Sequence, residues 1–284
     1  MELRKLLSNI KTTNHEIISY RYHKIVKTIN KEYWGINSDS INCRYVGSYG
    51  RGTAISGFSD VDIIVKLPIS QYERFSAYST NGQSALLQNV KTALDYSYSR
   101  SDIKGDGQVI VIEFSDKIKF EIVPAFELKD NELTYPDANN SGKWKQCNPI
   151  KEIEAINVIN KYTDGALKDL CKLARQWKRN NEVNISGILI DTLASHFMLE
   201  RKKNFINFEL LFTEFLLFLH SQHDENLWMI LGSKDIIERR DMEFERKALD
   251  SAIILLNALD LEHDGYPYSA KDNWRKLFGK VLVG

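Results

Sequence analysis

Asp60 and Asp62 stand one residue apart at the head of an apolar run, inside the stretch GSYGRGTAISGFSDVDIIV (residues 47–65). The run VDIIV is short and β-branched, which reads as a strand, and side chains two apart on a strand point to the same face. Two carboxylates placed so close repel each other unless a cation lies between them. An all-oxygen pair suits Mg2+, with Mn2+ as its substitute, because Mg2+ takes one or two carboxylates and fills its shell with water and substrate phosphates. A bare Asp-x-Asp is most often a solvated strand start, so the residues before it decide the reading. Gly47 and Ser48 close a preceding strand and open the turn YGRGTAI. Small residues there let backbone N–H groups approach an anion, and Ser48 adds a hydroxyl. A phosphate cradle followed by a cation-binding pair is what nucleoside triphosphate chemistry requires.

Two-metal phosphoryl transfer calls for a further carboxylate beside the attacking oxygen. Glu121, in KIKFEIVPAF, is the candidate: Phe120 and Ile122 flank it, so strand alternation turns it away from its apolar neighbours. Farther on, GALKDLCKLARQWKRN has helical spacing. Leu167, Leu170, Cys171 and Ala174 form its buried stripe, and Lys172, Arg175 and Arg179 fall together on roughly the opposite side.

The elements that must position these residues change character along the chain. Residues 2–33 lack Gly and Pro and repeat apolar residues every three or four positions, which predicts one long amphipathic helix. INCRYVGS, DVDIIVKL, GQVIVIEF and IKFEIVPAF predict strands, with SDKI turning between the last two, and SALLQNVKTALDYSYS predicts a helix. KDNELTYPDANNSGKWKQCNP, rich in turn residues, predicts a loop, and from about residue 150 the pattern is helical. The expectation is an α+β chain in two lobes, residues 1–149 and 150–284.

Lys+Arg and Asp+Glu each number 38, so the net charge is zero. Proteins that live on nucleic-acid backbones carry a basic excess, so no stable complex with long nucleic acid is expected. The three cysteines are scattered, with no CxxC pair, and read as reduced thiols. The charged start MELRKLLSNIKTTNHE is unlike a secretory leader, and no apolar stretch reaches the roughly 20 residues that span a bilayer. A soluble, cytoplasmic monomer is expected.

In GSYGRGTAI, SDVDIIV and FEIVPAF the chain resembles the CD-NTases (SMODS nucleotidyltransferases). These are the cyclic-oligonucleotide synthases of bacterial anti-phage systems, relatives of cyclic GMP–AMP synthase within the polymerase-β-like nucleotidyltransferases. The resemblance covers most of the chain, including a tail, YSAKDNWRKLFG, like the family's closing segment. It implies a polymerase-β-like sheet lobe with an N-terminal spine helix and a helical lobe that closes the nucleotide cleft. It also implies Mg2+-dependent joining of nucleoside triphosphates into a cyclic di- or trinucleotide, read by a downstream effector. Asp60, Asp62 and Glu121 would hold metals, and Gly47 and Ser48 the triphosphate. Arg175 or Lys172, together with Ser186 in NISGILID, would add triphosphate contacts. One departure stands out: the family has Asp where this chain has Glu121. Two other readings stay open: a related transferase acting on RNA or protein, and a catalytically silent nucleotide-binding module.

Overall fold

The computed structural model describes residues 2–57, 60–98, 101–128, 132–201, 207–239 and 243–279. The chain divides into two compact units, one of Thr13–Arg51 and Gly57–Ile153, the other of Met1–Thr12, Gly52–Ser56 and Glu154–Gly284. The backbone therefore passes between units several times rather than once near residue 149.

The first unit is built on a sheet. Helix α2 (His15–Ile29) leads through a π turn (Asn30–Trp34) to β1 (Cys43–Tyr45), the short helix α3 (Gly47–Arg51) and β2 (Val61–Lys66). Helices α4 (Ile69–Ser76) and α5 (Gly82–Ser97) follow, then β3 (Asp102–Asp106), β4 (Val109–Glu113), β5 (Lys119–Glu127), β6 (Leu133–Asp137) and β7 (Lys143–Cys147). The sheet runs β1-β2-β5-β4-β3, with β6 and β7 continuing from β5. Among the described residues only β2 and β5 pair in parallel. One sheet face packs Val61, Ile63, Val65, Phe120 and Ile122 against Ile18, Ile25 and Ile29 of α2 and Leu86, Val90 and Leu94 of α5. The opposite face carries a smaller cluster of Val46, Ile64, Ala125 and Leu133.

The β6–β7 hairpin falls where turn residues predicted a loop. Leu133, Thr134, Pro136 and Asp137 are buried along β6, and Asn140, Ser141 and Gly142 take positive φ at the turn. The turn residues are real, and pairing with the end of β5 makes strands of what flanks them.

The second unit is helical: α1 (Glu2–Asn9), α6 (Pro149–Tyr162, most of it in this unit), α7 (Ala166–Asn180), α8 (Gly187–Glu200), α9 (Phe208–His220), α10 (Phe244–His263) and α11 (Pro267–Phe278). A hairpin of β8 (Leu227–Met229) and β9 (Ile236–Glu238) interrupts it. Leu3, Leu6, Leu7 and Ile10 join the core of this unit beside Leu167, Leu170 and Leu173. The N-terminal segment is thus two helices rather than one. The break lies at Thr12-Thr13-Asn14, where β-branched and side-chain-bonding residues favour non-helical backbone. Among the described residues no helix is long and apolar enough to cross a membrane.

Candidate active site

Strand β1 ends at Tyr45, and α3 begins two residues later at Gly47. The Val46 N–H donates to the Asp62 carbonyl at 2.9 Å, which fastens this turn to β2. Gly47 has φ +57°, and a Cβ there would lie 1.8 Å from Asp62 Oδ2. A Cβ on Gly50 would lie 2.6 Å from the Tyr45 carbonyl oxygen. Only residues without a side chain let α3 fold this tightly onto β1 and β2. Aromatic rings hold it there: Tyr22 stacks on Tyr45 at 4.1 Å, and Tyr49 lies tilted against Tyr45 at 4.9 Å. The Tyr49 hydroxyl hydrogen-bonds His15 Nδ1 at 3.1 Å. Gly47 therefore stands beside the Asp62 carboxylate, and the half-buried Ser48 follows it in α3.

Asp62 on β2 lies opposite Glu121 on β5 in the parallel register, and Asp60 immediately precedes β2. Parallel neighbours in register point to the same face, so the structure brings these carboxylates together. Burial, with mutual repulsion second to it, weakens their acidity. Burial, then the charges of Glu121 and Asp60, push Asp62 up to about 7, partly offset by Arg51. Burial also raises Asp60, with Lys119 pulling the other way.

Two cations near these acids were missed in the sequence. Arg51, the last residue of α3, is buried and ion-paired with Glu152 at 3.4 Å. Lys119 Nζ stands 2.7 Å from Glu121 Oε1 and 3.3 Å from Asp60 Oδ2. Lys119 was legible in principle, because it lies two residues before Glu121 on the same strand. Among the described residues, no trio of His, Cys, Asp or Glu is arranged as a ready metal cage. The donor chemistry nevertheless fits a hard divalent cation: three carboxylates on one face carry more negative charge than Lys119 offsets, and all donors are oxygen.

The remaining candidates belong to the helical unit. Lys172 is paired with Asp169 one turn earlier at 3.4 Å. Ser186 is exposed and caps α8, accepting from the Leu189 N–H at 3.2 Å. Arg175 does not stand on a solvated basic face as its spacing predicts. It is 3% exposed, and its guanidinium makes two bonds to Asp191 and donates to the Gly187 carbonyl at 3.0 Å. Thr53 Oγ1 donates to the same Asp191 carboxylate at 3.0 Å. The physical reason is Asp191 itself: a buried carboxylate needs a fully bonded cation, and guanidinium suits it. Lys172 is the more accessible of the two basic candidates.

The family model described as Second Messenger Oligonucleotide or Dinucleotide Synthetase domain (SMODS) matches residues 1–160. Among solved structures, the Bradyrhizobium diazoefficiens CD-NTase CdnG in complex with GTP superposes with TM-score 0.74 at 14% identity, over 99% of this chain and 95% of that one. E. coli MS115-1 CdnC with ATP gives TM-score 0.71 at 14% identity, over 100% and 98%. The Vibrio cholerae cyclic AMP-GMP synthase DncV gives TM-score 0.69 at 14% identity, over 85% and 69%. At such identities the likeness is one of fold. No curated protein matches by sequence.

Proposed function

We propose that this chain, which belongs to the Second Messenger Oligonucleotide or Dinucleotide Synthetase family, is a Mg2+-dependent nucleotidyltransferase. It joins nucleoside triphosphates into a cyclic di- or trinucleotide. The observation that carries the reading is the meeting of Asp60, Asp62 and Glu121 on one sheet face, with Gly47 against Asp62. Solved relatives in complex with GTP and with ATP support triphosphates as substrates. In cells the product is a second messenger for a downstream effector in cytoplasmic anti-phage signalling of the CBASS type.

A ribose hydroxyl attacks the α-phosphorus of a second nucleotide: a P–O bond forms, the bond to pyrophosphate breaks, pyrophosphate leaves and the hydroxyl proton passes to solvent. The chemistry that bound Mg2+ supplies is neutralisation of triphosphate charge and polarisation of the attacking hydroxyl. Asp60 and Asp62 hold it, and Glu121 completes the side of the attacking oxygen. Gly47 and Ser48 bind the triphosphate through backbone N–H groups and a hydroxyl. Lys172 and Ser186 are the triphosphate-binding candidates of the helical unit. Positioning and charge neutralisation account for most of the rate, since the protein forms no covalent bond to substrate.

Incubation of the pure protein with four labelled nucleoside triphosphates, with Mg2+, with Mn2+ and with EDTA, tests this. A small, phosphatase-resistant, metal-dependent product is expected. Label transferred to RNA or protein would replace the reading with a modifying transferase. The Lys119–Glu121 contact favours a second reading, a silent nucleotide-binding module. Nucleotide bound but never converted would select it.

A further inference from the structure

Lys119 has no part in the mechanism above, yet its ammonium lies within ion-pair distance of two of the candidate metal-binding carboxylates. It shares a face of β5 with Glu121, and its ammonium links Glu121 to Asp60, which enters from β2. We propose that Lys119 is a displaceable internal cation. Its ammonium fills the place between Asp60 and Glu121 that a divalent metal needs, so a metal binds this pair only when the lysine swings away.

The proposal rests on the metal-dependent reading above. The first argument is exclusion. Nζ lies 2.7 Å from Glu121 Oε1. A Mg2+ ion binds such an oxygen at about 2.1 Å, so ion and ammonium cannot share it on the same side. The second is mobility. The Lys119 side chain is 32% exposed, and a flexible four-carbon stem gives the ammonium a route to water. The third is charge. The single ammonium between Asp60 and Glu121 offsets one of that pair's two negative charges, and Arg51 beside Asp62 is itself paired with Glu152, so the metal-free site stays negative, which favours exchange for a divalent ion. The lysine thereby raises the concentration of free metal the site requires. It favours metal that arrives already bound to a triphosphate.

Mn2+ alone, without nucleotide, is titrated into the wild-type protein, Lys119→Met and Lys119→Arg, and free Mn2+ is read by electron paramagnetic resonance. Lys119→Met is expected to bind Mn2+ at least about tenfold more tightly than wild type, and Lys119→Arg to stay near wild type because it keeps the charge. The metal-free melting temperature of Lys119→Met should fall and recover with Mn2+. Should Lys119→Met fail to fold, wild-type protein is treated with an amine acetylating reagent and mapped by mass spectrometry. Labelling of Lys119 is then expected to rise several-fold on adding Mn2+. Equal Mn2+ affinities in wild type and Lys119→Met, or labelling that ignores Mn2+, overturn the role of Lys119 and leave the metal-dependent reading standing. No Mn2+ binding by any variant overturns both.

Discussion

The Asp62 carboxylate lies against the α-carbon of Gly47, so that a Cβ there would come 1.8 Å from Oδ2. One contact thus sets how far the candidate phosphate-binding turn stands from the candidate metal ligand Asp62. Gly47→Ala must displace one of them, and its φ of +57° adds backbone strain of about 1 kcal/mol. The expected outcome is turnover at least about a hundredfold lower with the fold retained, since ångström-scale misplacement costs that much. Gly57→Ala is the control: φ is also positive, at +69°, but nothing lies within 4 Å of a Cβ. It should lose stability and keep its rate. Product formation and thermal melting measured on both variants separate strain from displacement.

The carboxylates also govern how the metal-free protein responds to pH. Folding raises Asp62 from 3.8 to about 7, so the folded protein holds a proton that the unfolded chain releases. That contribution is fully present below about pH 4 and is lost as pH rises toward 7. It amounts to at most roughly 4 kcal/mol. In EDTA, Asp62→Asn should therefore melt higher than wild type at pH 8, and the gap should close on acidification. Asp60→Asn combined with Asp62→Asn should abolish synthesis without unfolding the protein. Product from the double variant would end the proposed mechanism.

What could be read from the chain beforehand follows the range of the interactions involved. Strand alternation is local, so the common face of Asp60 and Asp62 and the outward turn of Glu121 were legible, and the β2–β5 register brings them together. The same alternation would have found Lys119, had cations been sought as well as acids. The approach of Gly47 to Asp62 was not legible, because it depends on how α3 folds back onto β2. Nor was the inward turn of Arg175, since helical spacing cannot show that Asp191, on the next helix, holds a buried carboxylate toward it. The break at Thr12-Thr13-Asn14 carried a propensity signal and a gap in the apolar period between Ile10 and Ile17, but the absence of Gly and Pro and the period on either side outweighed them.

Arg175 and Lys172 should separate cleanly under mutation. Arg175→Ala leaves the Asp191 carboxylate buried without its guanidinium, which costs about 3–5 kcal/mol. Its melting temperature should fall steeply, and Arg175→Met with Asp191→Leu should recover much of the loss, as apolar replacements of buried pairs do. Lys172→Ala removes only a partly exposed pair with Asp169 and should melt near wild type. If Lys172 binds triphosphate, the variant raises KM several-fold. Intact stability with raised KM in Arg175→Ala would instead assign the phosphate contact to Arg175.

Glu121 carries the sharpest test, because it departs from the residue the family has there and because Lys119 holds it at 2.7 Å. If Glu121 positions the attacking hydroxyl through a metal, Glu121→Gln removes a charged ligand and misplaces the nucleophile, so turnover should fall by about two orders of magnitude or more. Triphosphate binding should survive, since Asp60 and Asp62 remain to hold metal on the phosphates. Glu121→Asp shortens the side chain but keeps the carboxylate, and should retain part or all of the rate. The reach of the Lys119 contact then matters, because a shorter acid draws back from the ammonium and frees it. Glu121→Asp should therefore take up metal at lower concentration than wild type even where its maximal rate is lower. Turnover measured against Mn2+ concentration for the three proteins reads both effects. Near-wild-type turnover in Glu121→Gln would remove Glu121 from the reaction and leave a two-carboxylate centre.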